Sequence, residues 1–240
     1  MPISLTAIGT NNGKASTGLA ITVPAGGVPQ GALIVFCSVS LTNDVTAVSD
    51  TNNSGYTQAV SSGGPPRTQT YYFPNCAALV STNTITPTYA AATTIAMSAF
   101  YATGIATVGP LDNTTGVATG SSTTPSATTG TLLVSGELVV GVVAVNGPSG
   151  DTFTQLGGFA APPTRVGTSG GATASNVTLD GGTELAPDTT AVTYNPTLGT
   201  SHAWAETIAT FKPAAAAGTP WFDMVGYAEQ PRSPLQPVPY

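Results

Sequence analysis

The chain contains one histidine, His202, beside Trp204 near the start of its last strand-like segment. Hydrolytic catalysis through a serine needs a base, a nucleophile and an orienting carboxylate. Serine is plentiful, but no Gly-x-Ser-x-Gly elbow sits between an apolar strand and a helix, so His202 reads as a rim residue. A glycosidase would need two converging carboxylates, and Glu137, Glu184 and Glu206 are the candidates. Glu137 opens a strand and reads as solvated. Glu206 shares its parity with Trp204 and Ile208, so it is expected to face inward. Nothing in the spacing brings two of the three together. Asp50-Thr51-Asn52-Asn53-Ser54-Gly55 matches the front of a calcium loop, but Ser61 stands where a bidentate Glu is needed. A tight hairpin turn explains those residues better. One His and two separated Cys exclude a zinc site. Cys37 and Cys76 lie in strand-like segments and read as small buried hydrophobes rather than a disulfide. The chain is expected to be no enzyme and to need no cofactor.

The elements that would position these groups are strands. Helical periodicity is almost absent. Thr, Val, Ile and aromatic residues dominate, and Gly, Pro, Asn and Asp interrupt them every eight to twelve residues or so. Ile3 to Ile8 and Leu19 to Val23 alternate, with Asn11-Asn12-Gly13 as a turn signal between them. Ala32 to Val39 and Glu137 to Val145 are continuous apolar runs, expected to be buried on both faces. Val45 to Val48 and Tyr56 to Val60 read as a hairpin. Further strands are expected at Thr68 to Phe73, Thr82 to Thr88, Thr93 to Tyr101, Thr164 to Thr168, Ala172 to Leu179, Ala191 to Tyr194 and Ala203 to Phe211. The Gly, Ser and Thr of Gly109 to Gly130 suit an exposed edge strand.

Composition narrows the function classes. Of 240 residues, 41% are hydrophobic but only 7% are charged, against about 25% charged in an average globular protein. Lone domains stay soluble through dense mixed charge, so a neutral Thr/Ser-rich surface suits a subunit held in an assembly. The five basic residues, Lys14, Arg67, Arg165, Lys212 and Arg232, are scattered, and the net charge is −6. Phosphate neutralisation needs a basic cluster, so nucleic acid and anionic membranes are excluded as partners. The longest apolar run, Leu138 to Val145, falls far short of the roughly 20 residues of a membrane helix. The start, Met1-Pro2-Ile3-Ser4-Leu5, does not resemble a secretory signal, and the chain is expected to stay where it is made.

Two stretches echo each other. Gly31-Ala32-Leu33-Ile34-Val35 leads to Gly55-Tyr56-Thr57-Gln58, and Gly136-Glu137-Leu138-Val139-Val140 leads to Asp151-Thr152-Phe153-Thr154-Gln155. The expectation is one all-β domain over 1–212, an antiparallel two-sheet sandwich. Its pseudo-repeated halves, about 31–105 and 136–212, close on one core. Residues 213–240 form a linker and an extended C-terminal arm.

The order of motifs carries a resemblance. An apolar strand is followed by Ser49-Asp50…Gly55-Tyr56-Thr57-Gln58, Tyr71-Tyr72-Phe73 and the Thr-rich Thr82 to Tyr89. Then come Pro110-Leu111-Asp112, the run Gly136 to Val143, and the closing Ala203 to Pro213. Over Gly31 to Lys212 this resembles the jelly-roll-like sandwich domains of tailed-bacteriophage virion proteins and of some bacterial surface proteins. The resemblance implies a virion structural protein, foremost a capsid decoration or cement protein. Its partners would be the major capsid protein or other virion subunits, and it would be homo-oligomeric on the particle. A tail or neck component, or a carbohydrate-binding or adhesive module, is the alternative. The motifs bring no active-site residues with them. The Pro-spaced end is forced extended and reads as an arm laid on a neighbouring subunit, with Trp221, Phe222, Tyr227, Pro231, Pro234, Leu235, Pro237 and Tyr240 as its contact residues. Tyr71, Tyr72 and Phe73 are the best glycan platform, although alternation requires at least one of them to be core.

Overall fold

A computed structural model describes residues 2–112, 116–155 and 157–215. The expected arm, with all eight of its contact residues from Trp221 to Tyr240, lies outside the described residues.

The chain is all-β, as its composition requires. The first half holds β1 (Ser4–Ser16), β2 (Ile21–Thr22), β3 (Leu33–Ser40), β4 (Val45–Asp50), β5 (Thr57–Ser61), β6 (Arg67–Phe73), β7 (Thr84–Tyr89) and β8 (Thr93–Thr103). They form two antiparallel sheets, ordered β1-β8-β3-β6-β5 and β2-β7-β4. First pairs with eighth, second with seventh, and third with sixth. That nesting is the wrapping of a jelly roll.

The second half repeats it. Its strands are β9 (Gly116–Ser122), β10 (Ala127–Thr128), β11 (Leu138–Val145), β12 (Phe153–Thr154), β13 (Val166–Gly167), β14 (Thr178–Leu185), β15 (Thr193–Tyr194), β16 (Thr197–Leu198) and β17 (His202–Phe211). The large sheet runs β13-β14-β11-β17-β9, and the outer pieces are β10-β15 and β12-β16. The order is that of the first roll, with its seventh strand split in two at Asn195-Pro196. One 3-10 turn at Thr173–Ser175 is the sole helical element among the described residues.

The two large sheets pack face to face, so the molecule has four layers. The central core joins Leu33, Val35, Cys37, Val39 and Phe100 of the first roll to Leu138, Val140, Val142, Leu179 and Phe211 of the second. Burying each such side chain is worth about 1.5–3 kcal/mol, which makes this seam a main source of cohesion. β17 lies over β6 and β5, β8 lies over β14 and β13, and β3 faces β11. Exchanging the halves maps these contacts onto one another, so the seam is isologous, like a two-fold dimer interface. The other faces of the two sheets bury separate cores. One gathers Ile34, Phe36, Ile85, Ile95 and Met97. The other gathers Val139, Phe159, Tyr194 and Ile208, with a satellite at Val143, Val145, Leu198 and Trp204. β3 and β11 are therefore buried along their whole length, as their unbroken apolar runs require.

The connector between the rolls and the end of the last strand run together. Ile105 bridges Pro213, Leu111 bridges Phe211, and the Ala214 amide donates to the Gly104 carbonyl at 2.8 Å.

The halves share one core but do not close on it alone, since each also buries cores of its own against an outer layer. The structure departs from the sequence reading at four further points along the strands. Asn11-Asn12-Gly13 is not a turn: β1 runs through it, paired with Met97, Ala96 and Ile95. β4 and β5 are not a hairpin, for β4 pairs with β7 and β5 with β6, leaving one bridge, Ser49 to Ser54, between the segments. The expected strand at Ala172 begins only at Thr178 and continues through Gly181-Gly182 to Leu185. Finally, Thr57-Gln58 and Thr154-Gln155 do not fall in equivalent places, since β5 lies in a large sheet while β12 pairs with β16 in an outer layer. The echo of Gly31 and Gly136 does hold. Each enters its central strand at positive φ, 83° and 78°, a conformation glycine adopts without a Cβ clash.

Candidate functional site

Aligning the rolls through Leu33 and Leu138 lets each residue be compared with its counterpart. Ser38 pairs with Met97 on β8 and with Gln69 on β6. The counterpart Val143 pairs with Glu206 on β17 and with Asp180 on β14. An apolar and an amide side chain in the first roll are thus replaced by two carboxyl groups in the second. The first roll shows that the fold needs neither acid, and this difference marks the outer core of the second roll as the candidate site.

Phe36 of the first roll corresponds to Gly141. A Cβ there would lie 2.5 to 2.9 Å from ring atoms of Tyr194, so the glycine makes room for the Tyr194 ring to lie on β11. Tyr194 in turn stacks on Phe159, with ring centroids 4.6 Å apart.

Glu206 is fully buried. Its Oε1 accepts the Ala127 amide at 2.8 Å, while Oε2 has no partner. Burial pushes its carboxyl up to about 9, against a smaller opposing effect of the Ala127 amide. Asp180 accepts the Gly181 amide at 2.8 Å, and its Oδ2 lies 3.4 Å from Arg165 Nε. Burial raises it to about 7, opposed by the Gly181 hydrogen bond and the Arg165 charge. The Tyr194 hydroxyl is buried without a partner and held well above the usual phenol range, by desolvation first and then by the charges of Asp180 and Glu206. Two oxygens, Glu206 Oε2 and the Tyr194 hydroxyl, are therefore buried without a partner beside Asp180, a costly arrangement.

His202 lies at the same end. Its Nε2 is 2.6 Å from Asp151 Oδ2. The Arg165 guanidinium donates to the Asp151 carbonyl and lies 6.0 Å over the Phe153 ring. These groups line a small void of about 10 Å³, room for about one water. One Gly-x-Ser-x-Gly does occur, Gly167 to Gly171, leading from β13 to the 3-10 turn. Its Ser169 is exposed, is not among the residues with positive φ, and makes no hydrogen bond to His202. It lacks the strained turn and the base of a nucleophile elbow.

The three expected carboxylates do not converge. Glu184 pairs with Val139 and Glu206 with Val143, on opposite sides of β11 and four residues apart along it. Glu137 is not solvated as expected but buried, because the segment 123–136 folds over it; its Oε1 accepts the Val134 amide at 3.0 Å. Desolvation raises its carboxyl, with a contribution from neighbouring Asp112. The acid that lies level with Glu206, directly across β11 through Val143, is Asp180, which the sequence reading passed over. Their backbones are about 10 Å apart, a separation two catalytic carboxyls could use. The Tyr194 and Phe159 rings pack over the same core.

The remaining candidates have structural roles. Asp50 Oδ1 accepts the amides of Asn52 and Asn53 at 2.8 and 2.6 Å, and Oδ2 accepts the Tyr56 hydroxyl at 2.6 Å. This carboxylate closes its own turn. Tyr71 is buried and donates to the Val45 carbonyl, Tyr72 packs edge-on to Phe211, and Phe73 packs on Tyr56. Tyr71 is committed to a core, whereas Tyr72 and Phe73 are half-buried and each packs on a core aromatic. Cys37 and Cys76 are free and buried in different cores. Three of the cations have partners: Arg67 pairs with Asp44, Arg165 with Asp180 and the Asp151 carbonyl, and Lys14 with the Gly170 carbonyl and the Ser175 hydroxyl. Comparison with known protein families, curated protein sequences and solved structures finds no match.

Proposed function

We propose that the chain is a virion structural protein of a tailed bacteriophage, foremost a capsid decoration protein that braces shell subunits. The observation that carries this reading is the doubled jelly roll. Two rolls are stacked into a four-layer block whose acids Glu137, Asp180 and Glu206 are turned inward and buried. Such a block offers rigid faces rather than a reaction chamber, and the jelly roll is a recurrent scaffold of viral capsids. Fold alone does not determine function. The charge-poor surface adds support, since it suits a subunit with neighbours. The partners would be the major capsid protein or other virion subunits, with further copies of this chain beside it, and contacts would accumulate by multivalency.

The test is cosedimentation with phage heads stripped of their outer proteins, using the full chain and a chain ending at residue 218. The full chain should pellet with the heads, and loss of residues 219–240 should weaken that binding at least tenfold. If the full chain does not pellet with heads, the decoration reading fails; if the shortened chain binds equally, the arm plays no part.

A further inference from the structure

The segment 123–136 contains no charged residue, yet carboxyl groups tie it down. The Ala127 amide donates to Glu206, the Leu133 amide to Asp112 at 2.9 Å, and the Val134 amide to Glu137. Together with β15 it forms the outer layer above β11 and β17. That layer is thin. β10 and β15 share two residue pairs, Ala127 with Tyr194 and Thr128 with Thr193, continued by the Thr129 amide to the Val192 carbonyl and the Leu132 amide to the Thr189 carbonyl. In the corresponding layer of the first roll, β2-β7-β4, β2 likewise shares two residue pairs with β7, but β7 is unbroken and shares five more with β4, and the layer covers Met97 instead of an acid.

We propose that residues 123–136 and 186–196 form a hinged cover on the second roll, opened and closed by the protonation state of Glu206. Closed, the cover removes Glu206 from water and leaves its Oε2 without a partner. Open, the carboxyl is solvated and ionises as in a free chain. The groups facing Glu206 decide the sign. β15 contributes the Tyr194 hydroxyl and β14 contributes Asp180, whose nearest cation, Arg165, is already paired with it. The neighbouring positions Ala118 on β9, Ala127 on β10 and Val143 on β11 are uncharged. No described cation compensates an ionised Glu206. A carboxyl that is raised when closed and ordinary when open gives up its proton on opening, so each rise of one pH unit between those two states favours opening about tenfold.

Hydrogen exchange of the intact protein between pH 7 and 9, above the range in which Asp180 adds its own slope and corrected for intrinsic exchange, tests this. Protection of amides at 123–136 and 186–196 should fall about tenfold per pH unit beyond any change in the central strands β3 and β11, which report global unfolding. The first roll's cover, over Met97, should follow the central strands. Glu206→Gln keeps the acceptor for Ala127 but cannot ionise, and should remove that tenfold slope. Glu206→Met, the residue the first roll carries at this place, should do the same if the glutamine variant does not fold. Equal slopes on the two covers, or a wild-type slope retained in either variant, would overturn the proposal.

Discussion

Glu206 occupies in the second jelly roll the position that Met97 occupies in the first: both lie opposite the sixth residue of a central strand, Val143 and Ser38 respectively. One fold thus carries an internal control for its own buried acid. Glu206→Gln should stabilise the protein at pH 8 by roughly 2–4 kcal/mol, because the native state no longer has to hold a carboxyl protonated against solution. Urea denaturation of the two proteins side by side checks this; a destabilised variant at pH 8 would contradict the burial described here.

Stability should fall as pH rises. Asp180 and Glu206 have native values of about 7 and about 9, above the 3.8 and 4.5 of free carboxyls. Between those limits the native state binds more protons than the unfolded state, so the free energy of unfolding decreases with pH. Asp188 is shifted the opposite way by Thr190, but it is exposed and weighs little. The urea midpoint should be higher at pH 5 than at pH 8. A midpoint that rises with pH would refute the assignment of these two acids as buried neutral groups.

Gly141→Ala should cost about 2–4 kcal/mol, since the added methyl meets the Tyr194 ring inside van der Waals contact. The cost should shrink markedly when Tyr194 is replaced by Leu in the same chain. A double-mutant cycle with no coupling between the two sites would show that the ring does not rest on this glycine.

Neither thiol should react with a disulfide reagent in the native protein. Cys37 and Cys76 are fully buried, and desolvation pushes them up to about 12 and about 11, so thiolate is scarce as well as inaccessible. Labelling rates should match the rate of unfolding, and reductant should leave the denaturation midpoint unchanged. Fast labelling of one thiol in native buffer would contradict the packing of that core.

Asp50→Ala should destabilise by about 1–3 kcal/mol, through loss of charge-assisted bonds to Asn52, Asn53 and Tyr56. Added calcium should leave the melting temperature of the wild-type protein unmoved, because both oxygens already face donors. A calcium-dependent rise would restore the metal-loop reading.

Much of the frame was legible from residue order. The apolar runs of β3 and β11, each entered through a glycine, fixed the two central strands, and the parity of Glu206 with Trp204 and Ile208 placed it inward. The Gly109 to Gly130 stretch supplied an edge strand, β9, as its small residues suggested. What escaped depended on contacts distant in sequence. Asp180-Gly181-Gly182 has the composition of a turn, yet it lies inside β14. There a Cβ on Gly181 would meet the Gly141 carbonyl at 2.5 Å and Pro163 at 2.6 Å. The burial of Glu137 depends on a segment that returns over it, and no local pattern announces that. The doubling of the roll was hidden for the same reason. Its outer strands are two residues long in the second half, too short to leave a periodic signature.

The splice of the inter-roll connector with the end of β17 has a mechanical consequence. The backbone leaves residue 215 from the junction of both rolls rather than from the free end of one. Traction applied there reaches Gly104 and Ile105 of the first roll as directly as it reaches Phe211 of the second. Whatever is tethered downstream is therefore moored to the entire block, and the load divides between the two halves instead of peeling one away.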